Sequence, residues 1–114
     1  MTVISSGKLD GHEARGDIAI VKTADGAQVQ LRNLWVAPGA PDVRLYVSPR
    51  TDGEVDETAT ELGKVPDHQT EVTRDLPDHI DPAEVGSVIV HCTVYSVLFG
   101  FGTLTAQTTT GDQQ

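Results

Sequence analysis

The chain has 114 residues, a mass of 12.2 kDa and a net charge of −9. This length suits one domain. The acidic charge argues against binding to nucleic acid or anionic lipid, because phosphate groups repel an acidic surface. No apolar run reaches the length of a membrane span, and the first residues lack the basic and apolar parts of a signal peptide. We therefore expect no nucleic-acid partner, no membrane span and a cytoplasmic location for the chain as written, or an extracytoplasmic one if it was cut from a larger protein.

The first predicted elements form a β-hairpin. Residues 17–22 and 27–36 have strand-like composition, and Val29 and Leu31 alternate with polar residues in the second segment. The dipeptide Asp25-Gly26 between them is a strong hairpin signal, because both positions of such a turn favour φ > 0.

Strand and loop signals continue through the middle of the chain. Apolar and polar residues alternate again over 42–48, which predicts a further strand. The polar residues 49–60 predict a surface loop. A short strand is expected at 61–65 and an edge strand at 68–73.

The last third of the chain contains its most apolar stretch. Before it, Asp81-Pro82-Ala83-Glu84 predicts one helical turn, with Asp as the N-cap and Pro at the first position. Residues 87–93 and 97–105 are rich in β-branched residues, so we predict two central strands there.

Together these segments predict an all-β fold, a single antiparallel β-sandwich of about seven or eight strands. We assign residues 7–105 to this domain. Residues 1–6 are interpreted as an N-terminal lead and residues 106–114 as a polar tail.

Cys92 is the only cysteine, which excludes an intramolecular disulfide and a zinc site with several cysteines. In a strand it shares a face with Val88 and Val90, while His91 points to the other side, so a catalytic pair between Cys92 and His91 is not expected. Two interpretations stay open. Cys92 is either a small buried core residue, or a thiol that reacts or ligates a metal or haem iron.

The histidines show no ligand spacing: none of the four forms a His-x-His or His-x₃-His pair. A metal site would need the fold to gather them, and otherwise they are solvated loop residues. The sequence also has no Gly-x-Ser-x-Gly motif, phosphate loop or dinucleotide fingerprint. The four are His12, His68, His79 and His91.

Several segments resemble the DM-thirteen domain family, small β-sandwich modules labelled electron-transfer DM domains. The resemblance covers about residues 7–105. Its most specific parts are the Pro-Asp strand at 40–48 and a closing signature that begins at 87–92. The signature then continues with Tyr95, Val97, Phe99-Gly100, Gly102 and Leu104.

The resemblance places the family's cysteine at Cys92. It implies a redox role for this thiol, either bare or holding a prosthetic group such as haem. Similar domains occur beside DOMON and cytochrome-b-type modules, usually outside the cytoplasm. The sequence departs from the family pattern at His91, where an aromatic residue is common, and after Gln69, where the family's Tyr is missing.

Three functional hypotheses follow. The first is a redox or electron-transfer domain centred on a reactive Cys92, with haem or a transition metal as candidate cofactor and a redox partner or small molecule as partner. His12 is a second candidate cofactor-binding residue. The second hypothesis is a non-catalytic ligand- or protein-binding module in which Cys92 is only core. The third is an enzyme acting on a small molecule, such as a cysteine-dependent oxidoreductase, with Cys92, His91 and an acid in its pocket.

The redox hypothesis sets a structural requirement. A gap in the sandwich must expose the Cys92 sulfur at one end of the core, near the turn at 93–96. A thiolate also needs a cationic neighbour. The candidates for this neighbour are His12, His68, His79, Arg44 and Arg74.

Overall fold

A computed structural model of the protein describes residues 2–39, 42–66, 69–94 and 97–106. The segments in which apolar and polar residues alternate form strands of two antiparallel β-sheets. The predicted all-β sandwich is confirmed, with nine strands in this described part. The strands are β1 (Thr2–Leu9), β2 (Ala14–Thr23), β3 (Gly26–Val36), β4 (Val43–Ser48), β5 (Thr60–Lys64), β6 (Val72–Asp75), β7 (Ser87–Cys92), β8 (Val97–Thr103) and β9 (Thr105–Ala106).

The two sheets have the strand orders β6-β3-β2-β1-β9 and β5-β4-β7-β8. A bridge between Asp10 and Phe101, closed by two backbone hydrogen bonds of 3.1 Å, joins the end of β1 to β8. In the part of the chain that the structure describes, no helix is long and apolar enough to cross a membrane.

The predicted hairpin between β2 and β3 is confirmed, but its turn lies one residue earlier than expected. Thr23 pairs with Gly26, so the two turn residues are Ala24 and Asp25. Gly26 begins β3 with a φ of 153°. Among the described residues Asn33 is the one non-glycine residue with positive φ, so the prediction of φ > 0 at Asp25 is wrong.

Other boundaries differ by a few residues. The predicted edge strand at 68–73 is β6, which begins at Val72 and forms one edge of its sheet. Residues 2–6, interpreted as a lead, belong to β1, which pairs with β2. Ile4 packs against the core and Ser5 is buried, so this segment is part of the sandwich. Residue 106 lies in β9, and 107–114 lie outside the described residues.

The predicted helical turn is confirmed as a 3₁₀ turn at Pro82–Glu84. Asp81 is its N-cap, and its Oδ1 accepts a hydrogen bond of 3.0 Å from the Ala83 backbone N–H. Pro82 stands at the first position, where its missing N–H costs nothing.

The main core lies between the two sheets and consists mainly of aliphatic side chains from their inward faces. Ile89 is also fully buried, yet it lies on the outward face of β7. On that face Ile89 pairs with Phe101, and Gly53 of the loop at 49–59 packs on the Phe101 ring. The predicted surface loop therefore covers part of the outer face of the four-stranded sheet.

Candidate functional site

Cys92 is the last residue of β7, at one end of the core. It shares the inward face with Val88 and Val90, as predicted, and pairs with Val43 of β4 and Val97 of β8. Its side chain is 0% exposed. The expectation of a gap that exposes the sulfur is therefore wrong for this structure, because Cys92 is fully buried as part of the aliphatic core.

The residue after Cys92 is fixed to β4. The Thr93 backbone N–H donates to the Asp42 carbonyl oxygen at 3.1 Å, and the Thr93 hydroxyl donates to Asp42 Oδ2 at 2.5 Å. Two bonds to one residue hold the chain where β7 ends. This pair, which we call the Thr93–Asp42 clamp, fixes the residue that directly follows Cys92 to the start of β4.

Asp42 is the centre of a polar network on the outward side of the sheet. Its carboxylate accepts from Arg44 Nε at 3.0 and 3.1 Å and lies 3.8 Å from Lys64 Nζ. Arg44 in turn reaches Glu61 of β5 at 2.5 Å. The hydrogen bond from Thr93, followed by that from Arg44, holds the pKa of Asp42 below its usual value despite partial burial. Asp42 is thus a charged anchor for the clamp.

His91 lies on the opposite face of β7 from Cys92. Its ring stands edge-on to Tyr46 with the centroids 6.1 Å apart, and its Nδ1 is buried without a hydrogen-bond partner. Burial lowers the pKa of His91 and raises that of Tyr46. His91 and Cys92 therefore do not form a catalytic pair, which agrees with the strand geometry.

His12 lies in the exposed turn between β1 and β2. The turn is attached to β8, since the Glu13 N–H donates to the Phe99 carbonyl oxygen at 3.2 Å. Across the described ranges, no hydrogen bond joins His12 to Cys92. A cofactor-binding role for His12 stays a prediction.

The other candidate cations are placed elsewhere. Arg44 points outward into the Asp42 network, and Arg74 donates to the Lys64 carbonyl oxygen at 2.8 Å. His79 lines a cavity beside Ser48, at the far end of β4 from Cys92. His68 falls outside the described residues.

The surroundings of Cys92 do not fit a haem or a metal ion. Its pairing partners on both sides are valines, and its side chain is fully covered. A porphyrin could bring its iron to the sulfur only by displacing core side chains. Within 2–39, 42–66, 69–94 and 97–106, no group of three or more His, Cys, Asp and Glu residues could hold a metal ion.

An apolar surface lies beside the buried thiol. Val94, Val97 and Leu98, which we call the apolar rim, are 60%, 43% and 42% exposed. They are three of the five large hydrophobic side chains that are exposed in the described structure. All three lie within six residues of Cys92 in the chain, and Val97 pairs with Cys92 whereas Leu98 pairs with His91.

Sequence reasoning missed the Thr93–Asp42 clamp. The alternation over 42–48 predicts that Arg44 faces outward. It does not predict which residues of β5 and β7 form hydrogen bonds with Asp42 and Arg44. Asp42 and Thr93 are 51 positions apart, and only the pairing of β4 with β7 brings them together.

Comparisons with known proteins give one result. A sequence model of the family described as Electron transfer DM13 matches residues 8–104. No curated protein matches the chain, and no solved structure matches it. The match begins at Lys8 near the end of β1, covers β2 to β8 completely, ends at Leu104 and contains Cys92. The chain therefore belongs to the electron transfer DM13 family.

Proposed function

We propose that this domain transfers electrons through the bare thiol of Cys92, and that the thiol reacts when the end of the β7–β8 hairpin opens. One observation carries the proposal. The single thiol of an electron-transfer family member lies at the end of the core, next in the chain to the Thr93–Asp42 clamp and paired with Val97 of the exposed apolar rim.

The chemistry that suits one thiol is exchange with a disulfide. The Cys92 thiolate attacks one sulfur of a partner disulfide, the S–S bond breaks, and one partner thiol leaves and takes up the proton. One thiol of a dithiol donor then attacks the partner sulfur of the mixed disulfide and restores the Cys92 thiolate. The second donor thiol attacks the resulting donor–partner disulfide, closes the donor's own disulfide and releases the second partner thiol. Two electrons have passed from the donor thiols to the disulfide, so atoms and electrons balance.

Burial sets the rate of this exchange. A thiol that is 0% exposed does not meet a disulfide in the closed structure. Exchange then requires local opening, and its rate is the intrinsic rate multiplied by the open fraction. The apolar rim supports exchange with a protein partner at this end of the domain. Transient electron-transfer complexes use small contact areas, and a patch of three exposed apolar side chains is of that kind.

The test uses oxidised glutathione and intact-mass measurement of the folded protein. We expect one glutathione on the protein, removal of it by added thiol, and no adduct on Cys92→Ser. Iodoacetamide should label the native thiol slowly and in proportion to local opening. If label and glutathione enter only at the rate of global unfolding, the thiol is structural and the proposal fails.

The second candidate function is a binding module in which Cys92 is core. The observation that favours it is the full burial of the side chain among valines. In that case Cys92→Val should fold at least as stably as the native protein, and the native thiol should resist labelling below the denaturation transition.

A further inference from the structure

A cavity of about 230 Å³ lies at the end of the sandwich away from Cys92. It sits between the end of β4 and the 3₁₀ turn at Pro82–Glu84. Cys92 pairs with the first residue of β4, whereas this cavity is lined by the last two. The cavity is therefore separate from the thiol and plays no part in its chemistry.

The floor of the cavity is apolar and fixed. Val47 and Val85 are buried, and Ile80 is partly buried against the same core. Two of these residues belong to ordered elements or their caps: Val47 is in β4, and Val85 ends the 3₁₀ turn. Such a floor offers a preformed contact surface for a small apolar group.

The rim of the cavity carries carboxylates and no Lys or Arg side chain. Asp81 and Glu84 line it together with His79. None of these three side chains takes part in an ion pair within the described ranges. The hydrogen bond from Ala83 N–H to Asp81 Oδ1 fixes that carboxylate at the rim. The potential at the mouth therefore favours a cation.

We propose that this cavity binds a small aliphatic or alicyclic amine. The apolar body contacts Val47, Ile80 and Val85, and the ammonium group lies between the carboxylates of Asp81 and Glu84. The volume is below the range of about 300–1,000 Å³ that holds drug-sized ligands, so the ligand is a small molecule. An ammonium group is a donor with no acceptor, which matches a rim of oxygen acceptors.

The test is an NMR titration of the full chain with cyclohexylamine, with cyclohexanol as a probe of the same shape and no charge. We expect saturable shifts of the methyl groups of Val47, Ile80 and Val85 with the amine, at a dissociation constant in the millimolar range. Cyclohexanol should bind several-fold more weakly, because it makes the apolar contacts alone.

A pair of charge variants completes the test. Glu84→Gln should weaken amine binding by about two- to fivefold, as expected for one partly exposed charge contact. Glu71→Gln removes the same charge from an exposed loop outside the cavity and should leave binding unchanged. Equal binding of amine and alcohol, equal weakening by both variants, or shifts that do not saturate would each overturn the proposal. Cys92→Ser should bind the amine normally, so this result is independent of the thiol chemistry.

Discussion

Replacing Thr93 with Val should speed the reaction of the Cys92 thiol without unfolding the protein. The substitution keeps the shape of the side chain and removes the hydroxyl that donates to Asp42 Oδ2 at 2.5 Å. The backbone bond from Thr93 to the Asp42 carbonyl oxygen stays in place. The variant therefore loses the contacts of the hydroxyl with Asp42, at 2.5 Å to Oδ2 and 3.4 Å to the carbonyl oxygen, and keeps the backbone bond.

The expected change in the free energy of opening depends on the Asp42 carboxylate, which loses the hydroxyl as a donor. A hydrogen bond to a charged group contributes about 1.5–3 kcal/mol. The Asp42 side chain is 19% exposed and keeps its bonds from Arg44, so we expect the low end of that range or less, about 1 kcal/mol. An opening equilibrium that shifts by about 1 kcal/mol changes the open fraction about fivefold.

The assay is the rate of native labelling by iodoacetamide, followed by intact mass. Thr103→Val, in β8 at the other end of the same hairpin, is the matched control and should label at the native rate. Val72→Ala in β6 destabilises the whole fold from a distant strand and distinguishes local from global opening. If Val72→Ala speeds labelling as much as Thr93→Val does at equal loss of stability, the thiol is reached by global unfolding and the clamp has no gating role.

Two further predictions concern the loop at 49–59. Gly53→Ala should destabilise the fold by about 1–2 kcal/mol in urea unfolding, because φ is +78° and a Cβ would lie 2.8 Å from the Phe101 ring. Gly63→Ala is the matched control: φ is also positive there, but a Cβ would lie at an ordinary 3.8 Å from Arg74 Nε, so it should cost less. Equal losses of stability in the two variants would contradict the contact between Gly53 and Phe101. The second prediction concerns Asp52, whose pKa is lowered to about 2 by hydrogen bonds from Arg50 and, to a smaller extent, from the Glu54 backbone. The ionised Asp52 side chain therefore contributes its full stabilisation above about pH 4, and this contribution is lost as the pH falls toward 2. An NMR titration should give this pKa, and Arg50→Gln should raise it; an Asp52 pKa near its ordinary value in the native protein would refute the pairing.

Local chemistry along the chain was enough to predict the fold class and most strands. Alternation at period two is a property of neighbouring residues, so the inward face of β4 and the shared face of Val88, Val90 and Cys92 could be derived directly. The cap of the 3₁₀ turn by Asp81 was predictable for the same reason, since its partner is two residues away. The turn of the first hairpin was misplaced by one residue, because Gly26 supplies its unusual φ to a strand end instead.

The state of the candidate site depended on contacts between distant residues. Period two placed Cys92 on the inward face, but the sequence could not show whether the end of the core is open, because closure depends on how β4 and β8 pack on both sides of β7. Thr93 is anchored by Asp42, 51 positions before it, and the Phe101 ring that pairs with Ile89 is covered by Gly53. Local sequence patterns therefore determined which residues face inward. Only the tertiary structure decided that the Cys92 thiol is fully buried, because burial depends on how the two sheets pack together.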